Sequence, residues 1–120
     1  MSFIIGNYYK LDEIRKALGG PLLASFATSD NKLIYIKIKQ NKDNPDIPDE
    51  ILVRDGKIIQ NIALKWIESK DSVPFFWRPK GNKESTWLYH GFVKPSISTK
   101  GKEVAAFPLK IQIIKAEQGV

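Results

Sequence analysis

The sequence predicts an α+β domain: one strongly twisted β-sheet or open β-barrel with two flanking helices. Three observations carry this reading. The stretch "LIYIKIK", 33 to 39, alternates with a period of two, as a strand does. From Gly56 to Lys70 the apolar residues Ile59, Ile62, Ala63, Trp66 and Ile67 recur at three- and four-residue steps, as on an amphipathic helix. Most of the remaining apolar segments are short, rich in β-branched and aromatic residues, and bounded by turn formers.

In chain order, "FIIGNYY" is β-prone and interrupted by Gly6. "LDEIRKALGG" reads as a short helix with Asp12 and Glu13 in its first turn, Arg15 and Lys16 later, and Gly19 as a stop. Leu11, Ile14 and Leu18 fall on one of its faces. "PLLASFATSDNK" fits either class and closes in a Ser29-Asp30-Asn31 turn. Strand 33 to 39 is expected to be half-buried, with Leu33, Tyr35, Lys37 and Lys39 on one side and Ile34, Ile36 and Ile38 on the other. "QNKDNPDIPDE" is a polar loop with two prolines, and "ILVRDGK" a short strand and turn. After the second helix come "VPFFWRP" and "STWLYHGFVKP" as strands, then "KPSISTKGKE" as a polar basic loop. "VAAFPLKIQIIKA" closes the chain as one or two strands, with Pro108 at an edge, bulge or break.

At 120 residues the chain is long enough for one domain with its own core. No apolar run has the roughly 18 residues of a membrane span. The opening "MSFIIGNYYK" lacks the pattern of a secretory signal, and the tail "KAEQGV" ends without a cap or turn. The expectation is a single cytoplasmic domain, 1–120, taken from a longer protein. The chain has no Cys, which excludes disulfides, thiolate metal sites and Cys nucleophiles. A lone histidine, His90, makes a His-based metal centre implausible. No cofactor or metal is expected. Nineteen Lys and Arg against thirteen Asp and Glu give a formal charge of +6, which favours a polyanionic partner.

The stretch "VPFFWRPKGNKESTWLYHGF", 73 to 92, concentrates the candidate binding groups. Alternation puts Phe75 and Trp77 on one face and Phe76 and Arg78 on the other. Further on it groups Trp87, Tyr89 and Gly91 against Leu88, His90 and Phe92. Arg78, Lys80, Gly81, Asn82 and Lys83 form a basic tip between the aromatic runs. Aromatic faces stack on bases and basic groups hold phosphates. The same aromatics also serve as core, and His90 as a satisfied, partly buried imidazole.

Catalytic patterns are weak. Asp43, Asp46, Asp49 and Glu50 cluster in the Pro-containing loop, and Asp46 with Glu68 and Lys70 mimics a Mg²⁺ nuclease motif. Such a motif needs Glu68 on a strand, whereas the periodicity puts it at a helix end. "ALGGPL" and "GNKES" lack a phosphate-loop Lys-Ser/Thr, and Ser85 and His90 point to opposite sides of a strand.

Two segments resemble a known group. Phe3, Gly6, Tyr8 or Tyr9, Glu13-Ile14 and Gly19-Gly20 match the opening of modified-DNA reader domains found beside HNH nucleases in type IV-like restriction systems. Asn44, Pro45, Pro48, Pro74, Phe76, Trp87, Tyr89 and Gly91 are similar to a recurring pattern of restriction-associated domains. No nuclease motif follows. The resemblance implies a non-enzymatic, SRA-type, PUA-like reader of double-stranded DNA, working with a nuclease domain or subunit and often accepting a flipped, modified base such as methylcytosine. In such a reader Tyr8, Tyr9, Trp77, Trp87 and Tyr89 can form pocket walls. Asn44, Asp46 and His90 can contact a base, and Arg78, Lys80, Lys83, Lys100 and Lys102 can hold phosphates. The rival classes are a Mg²⁺-dependent nuclease, a protein-interaction domain and an RNA reader.

Overall fold

The computed structural model describes residues 3–22, 24–42, 44–82, 85–100 (backbone alone from 97) and 109–116. The elements in order are β1 (Tyr8–Lys10), α1 (Leu11–Leu18), β2 (Phe26–Ser29), β3 (Lys32–Lys39), β4 (Glu50–Val53), α2 (Lys57–Ser69), β5 (Val73–Arg78), β6 (Thr86–Lys100) and β7 (Leu109–Lys115). The strands form one sheet in the order β2-β3-β5-β6-β7-β4, with β1 added on β6. The mixed sheet curls into an open half-barrel flanked by the two helices. The α+β expectation is therefore met.

Among the described residues β3 and β5 pair in parallel and the other pairs are antiparallel. A parallel pair needs a crossover. Here the chain leaves β3, lays β4 on the far edge, runs through α2 and returns as β5. β6 is long enough to serve three neighbours: β5 on one side, β1 and then β7 on the other. Its register shifts at Phe75/Phe76 opposite β5 and at Pro95/Ile97 opposite β7. Bulges sharpen local twist, which suits a curled sheet.

Both faces of the sheet are covered. α2 turns Ala63 and Trp66 onto the first face, against Phe26, Ile36, Phe75 and Val93. Trp66 Nε1 donates to the Asp71 carbonyl at 2.8 Å, which gives the large buried indole its partner. The second face packs Ile14 of α1 with Ala27, Tyr35, Phe76, Trp87 and Tyr89. α1 starts where the Glu13 carboxylate accepts the Lys10 N–H at 3.0 Å, and stops where Gly19 takes a φ of 80°. Neither helix is long and apolar enough to cross a membrane.

Several expectations need correction. β3 is not half-buried: Tyr35, Ile36, Lys37 and Ile38 are all buried. Nor does it alternate simply. Ala27 pairs with Tyr35 but Thr28 with Leu33, so Ile34 is an extra residue that inverts the faces. Leu33 therefore joins the first core and Ile34 the second, beside Tyr35. A second bulge at His90 moves Gly91 opposite Phe75, away from the face that holds Trp87 and Tyr89. Residues 95 to 100, expected as loop, continue β6 and pair with β7. The opening segment is strand only over Tyr8–Lys10. Pro108 lies outside the described residues.

Candidate nucleic-acid interface

Because β3 and β5 are parallel, they end side by side, and Lys39 pairs with Arg78. β6 is antiparallel to β5 and begins at the same end, where Trp87 pairs with Tyr9 of β1. Lys39, Arg78, Trp87 and Tyr9 thus cross four adjacent strands at one end of the second face. One pleat inward lies Lys37, opposite Phe76.

The Arg78 guanidinium carbon stands 4.1 Å from the centre of the Trp87 ring, and the Lys37 Nζ stands 5.2 Å from it. Both are cation–π distances. Arg78 Nε donates to the Thr86 carbonyl at 3.1 Å, which fixes the guanidinium over the indole. Lys37 is only 6% exposed. Burial, then the charges of Arg78 and Lys39, hold its ammonium below the ordinary lysine range. Burial also lowers Arg78. Among the described residues the ion pair present is Lys110–Glu50 at 3.5 Å, on β7 and β4 at the far side of the sheet. No described carboxylate pairs with Lys37, Lys39 or Arg78. A dense group of like charges with no counter-ion among the described residues is a place where an anion gains.

Gln40 ties the surrounding loops to this end. Its N–H donates to the Arg78 carbonyl at 2.9 Å and its Oε1 accepts from Lys80 N–H at 3.0 Å. Its Nε2 donates to the carbonyls of Pro45 at 3.2 Å and Ile47 at 3.3 Å. The β5–β6 tip and the Pro-containing loop therefore flank the ends of β3 and β5. The tip turns at Gly81, whose φ of 89° suits glycine, and presents Lys80 exposed.

The predicted site residues divide between the two faces. Tyr9, Arg78, Trp87 and Tyr89 come together on the second face. There Tyr89 packs on Phe76 with ring centres 5.0 Å apart, Phe3 packs on Tyr9 at 4.8 Å, and Tyr9 Oη accepts from Ile4 N–H at 2.7 Å. Trp87 is 7% and Tyr89 2% exposed. Tyr8 and Trp77 both pair with Leu88 and so lie on the opposite face, where Trp77 packs against the first core. Tyr8 is half exposed, and Trp77 Nε1 is buried without a partner. His90 is half-buried with its ring 5.9 Å from that of Phe75. Burial and the Lys115 charge, partly opposed by Asp49, pull its imidazole below the usual range.

Asn44 has its amide committed. Oδ1 accepts from Leu52 N–H at 2.7 Å and Nδ2 donates to Leu52 O at 3.3 Å, bracing the loop against β4. Asp46 is exposed, and its carbonyl accepts from the N–H groups of Asp49 at 2.8 Å and Glu50 at 3.1 Å. Glu68 lies in α2. Lys100 carries a described backbone in β6; its side chain, with Lys83 and Lys102, lies outside the described residues. An open cleft of about 500 Å³ sits at the opposite end of β3 and β5, between Leu18, Leu33, Ile34, Val73, Pro74 and Phe92. It shares no residue with the aromatic hairpin tip.

Lys37 and Lys39 were not among the expected site residues. The available signal was their position on the same strand side as Tyr35, with the parallel partner strand ending in Arg78. Gln40 carries no signal in the sequence.

No protein-family model matches the chain, and no curated protein matches it by sequence. Among solved structures it is similar to the chain described as the sulfur binding domain and SRA domain of ScoMcrA complexed with phosphorothioated DNA. The TM-score is 0.56 and the identity 12%, over 96% of this chain and 40% of that one. The fold is therefore shared with part of that two-domain chain. At this identity the likeness is one of fold, and the chain spans well under half of that structure's length.

Proposed function

We propose that this chain is a non-catalytic reader domain that binds double-stranded DNA for a restriction or defence protein and selects a modified nucleotide. One observation carries the reading: Lys37, Lys39 and Arg78 crowd together at one end of an SRA-like sheet with no described carboxylate beside them. Phosphates supply the missing charge. Lys80 on the tip adds a flexible point charge at the same end, and Lys83, Lys100 and Lys102 add to the basic total. Base discrimination belongs to the other face, where Tyr8 offers an exposed ring and Trp77 and His90 are partly exposed beside it. A flipped base costs a few kcal/mol to extrude, and stacking of about 1–3 kcal/mol per ring offsets it. The nuclease that would act on the selected DNA belongs to another domain or subunit, and the setting is the cytoplasm.

The test is fluorescence anisotropy with matched duplexes carrying cytosine, methylcytosine, hydroxymethylcytosine, methyladenine or a phosphorothioate linkage, at two salt concentrations. A duplex RNA of the same sequence serves as comparison. The expected result is binding that weakens steeply with salt and prefers one modified DNA. Equal, weak and salt-insensitive binding to every duplex would remove the proposal and favour an apolar protein partner. Plasmid cleavage with Mg²⁺ that Asp46→Ala abolishes would replace it with a nuclease.

A further inference from the structure

We infer that Lys37 and Arg78, gathered against Trp87, form with the neighbouring Lys39 a half-buried seat for a single phosphate group. The inference rests on the DNA reading for its natural occupant, a backbone phosphodiester, but the seat itself follows from the local chemistry.

A lysine 6% exposed in mid-strand is costly unless its ammonium finds a partner. Here the described neighbours of the ammonium are the Trp87 ring and the charges of Arg78 and Lys39. The ring offsets part of the burial; the other cations add to the cost. An oxyanion reverses both terms at once. Lys39 and Arg78 start from paired positions of neighbouring strands, whose backbones run about 4.8 Å apart, and Lys37 starts two residues inward from Lys39 on the same face. Their heads can therefore converge on one tetrahedral group. Arg78 is held by a single Nε bond to Thr86, which leaves its terminal N–H donors for the ligand. Lys80 differs in kind: it is exposed, and only its backbone is fixed, by Gln40. The seat supplies position, whereas the tip supplies screened attraction.

The test uses the chain with its indole N–H signals assigned by NMR, titrated with inorganic phosphate at constant ionic strength against a chloride control. The expected result is a saturable shift of the Trp87 indole that is absent in Lys37→Met and retained in Lys37→Arg. Trp66, on the other face, should stay still. Lys37→Gln gives a second variant if the Met form does not fold. In parallel, Lys37→Met should weaken duplex binding about tenfold or more, while Lys80→Gln changes it by no more than about threefold. No saturable shift, or the same shift in Lys37→Met, overturns the seat. A duplex that binds wild type and Lys37→Met equally overturns the backbone phosphodiester as the occupant of the seat. A phosphate shift without duplex binding keeps the seat and removes the DNA reading.

Discussion

Lys37→Met should make the protein more stable and a weaker DNA binder. Met is unbranched and close to Lys in length, so it can keep the packing against Trp87 while removing a charge from a site that is 6% exposed. Replacing buried charges by apolar groups of similar volume stabilises proteins by about 1–4 kcal/mol in favourable cases. The lost cation–π contact subtracts roughly 0.5–2 kcal/mol. The net expectation is a gain of about 1 kcal/mol, or a Tm rise of about 3–5 °C for a domain of this size. A pH dependence separates this from generic repacking. Lys37 has its pKa lowered in the folded state, so in the window below the ordinary lysine value of 10.5 the unfolded chain binds more protons than the folded one. Stability should therefore rise with pH through that window in wild type, and Lys37→Met should lack this contribution. Urea melts at neutral and alkaline pH measure both effects. Anisotropy across a salt series should show the slope of log K against log salt reduced by about 0.9, the loss of one phosphate contact. A variant that loses about 1 kcal/mol or more and binds DNA with an unchanged slope would refute the reasoning, because Lys37 would then be an ordinary packing residue.

Other perturbations probe the frame around the site. Asn44→Ala strips both partners from the Leu52 backbone and should cost about 1–3 kcal/mol in urea melts; a neutral result would mean that water replaces the amide. Trp87→Ala should cost about 3–5 kcal/mol, since the indole is 7% exposed in the second core; a loss well under 1 kcal/mol would mark it as a surface stacking platform instead. His90 has a lowered pKa, so its contribution is present above the ordinary histidine value of 6.5 and lost as pH falls through its folded value. Melts across mildly acid pH should show a loss in wild type that is smaller in His90→Gln.

Much of the fold was legible because its signals are local. The three- and four-residue steps of Ile59, Ile62, Ala63 and Trp66 fixed α2, and the Asp12-Glu13 start with the Gly19 stop fixed α1. Alternation found β3, β5 and β6 and set Phe75 and Trp77 against Phe76, and Trp87 with Tyr89, but it misplaced Leu33, Ile34 and Gly91, because a bulge at Ile34 and another at His90 each invert the parity beyond them. A bulge depends on the partner strand, and no local pattern announces it. The same limit hid the cationic cluster. Lys37 reads as the wet side of a half-buried strand until the second core is placed over that side by α1, Phe76 and Tyr89. "KPSIST" reads as loop from its Pro and small polar residues, yet Ile97 and Thr99 pair with β7 once the extra residue Ser96 is absorbed at a bulge beside Pro95.

The division of the aromatic hairpin between two faces has a functional consequence. Trp87 and Tyr89 lie with the cations, whereas Trp77, Tyr8 and the Phe75–His90 pair lie on the other side of the same sheet. A pleated sheet does not let side chains from its two faces close on one planar base. On the DNA reading, affinity and discrimination are then carried by different residues and can be separated by mutation. Changes at Lys37, Lys39 or Arg78 should weaken all duplexes in proportion, because phosphates carry no sequence. Changes at Tyr8, Trp77 or His90 should alter the ratio between modified and plain duplexes with little effect on the salt slope. If Trp87→Phe, which keeps most of the core volume, shifts that ratio while Trp77→Phe does not, the base is read on the cationic face, and the assignment of the two faces must be exchanged.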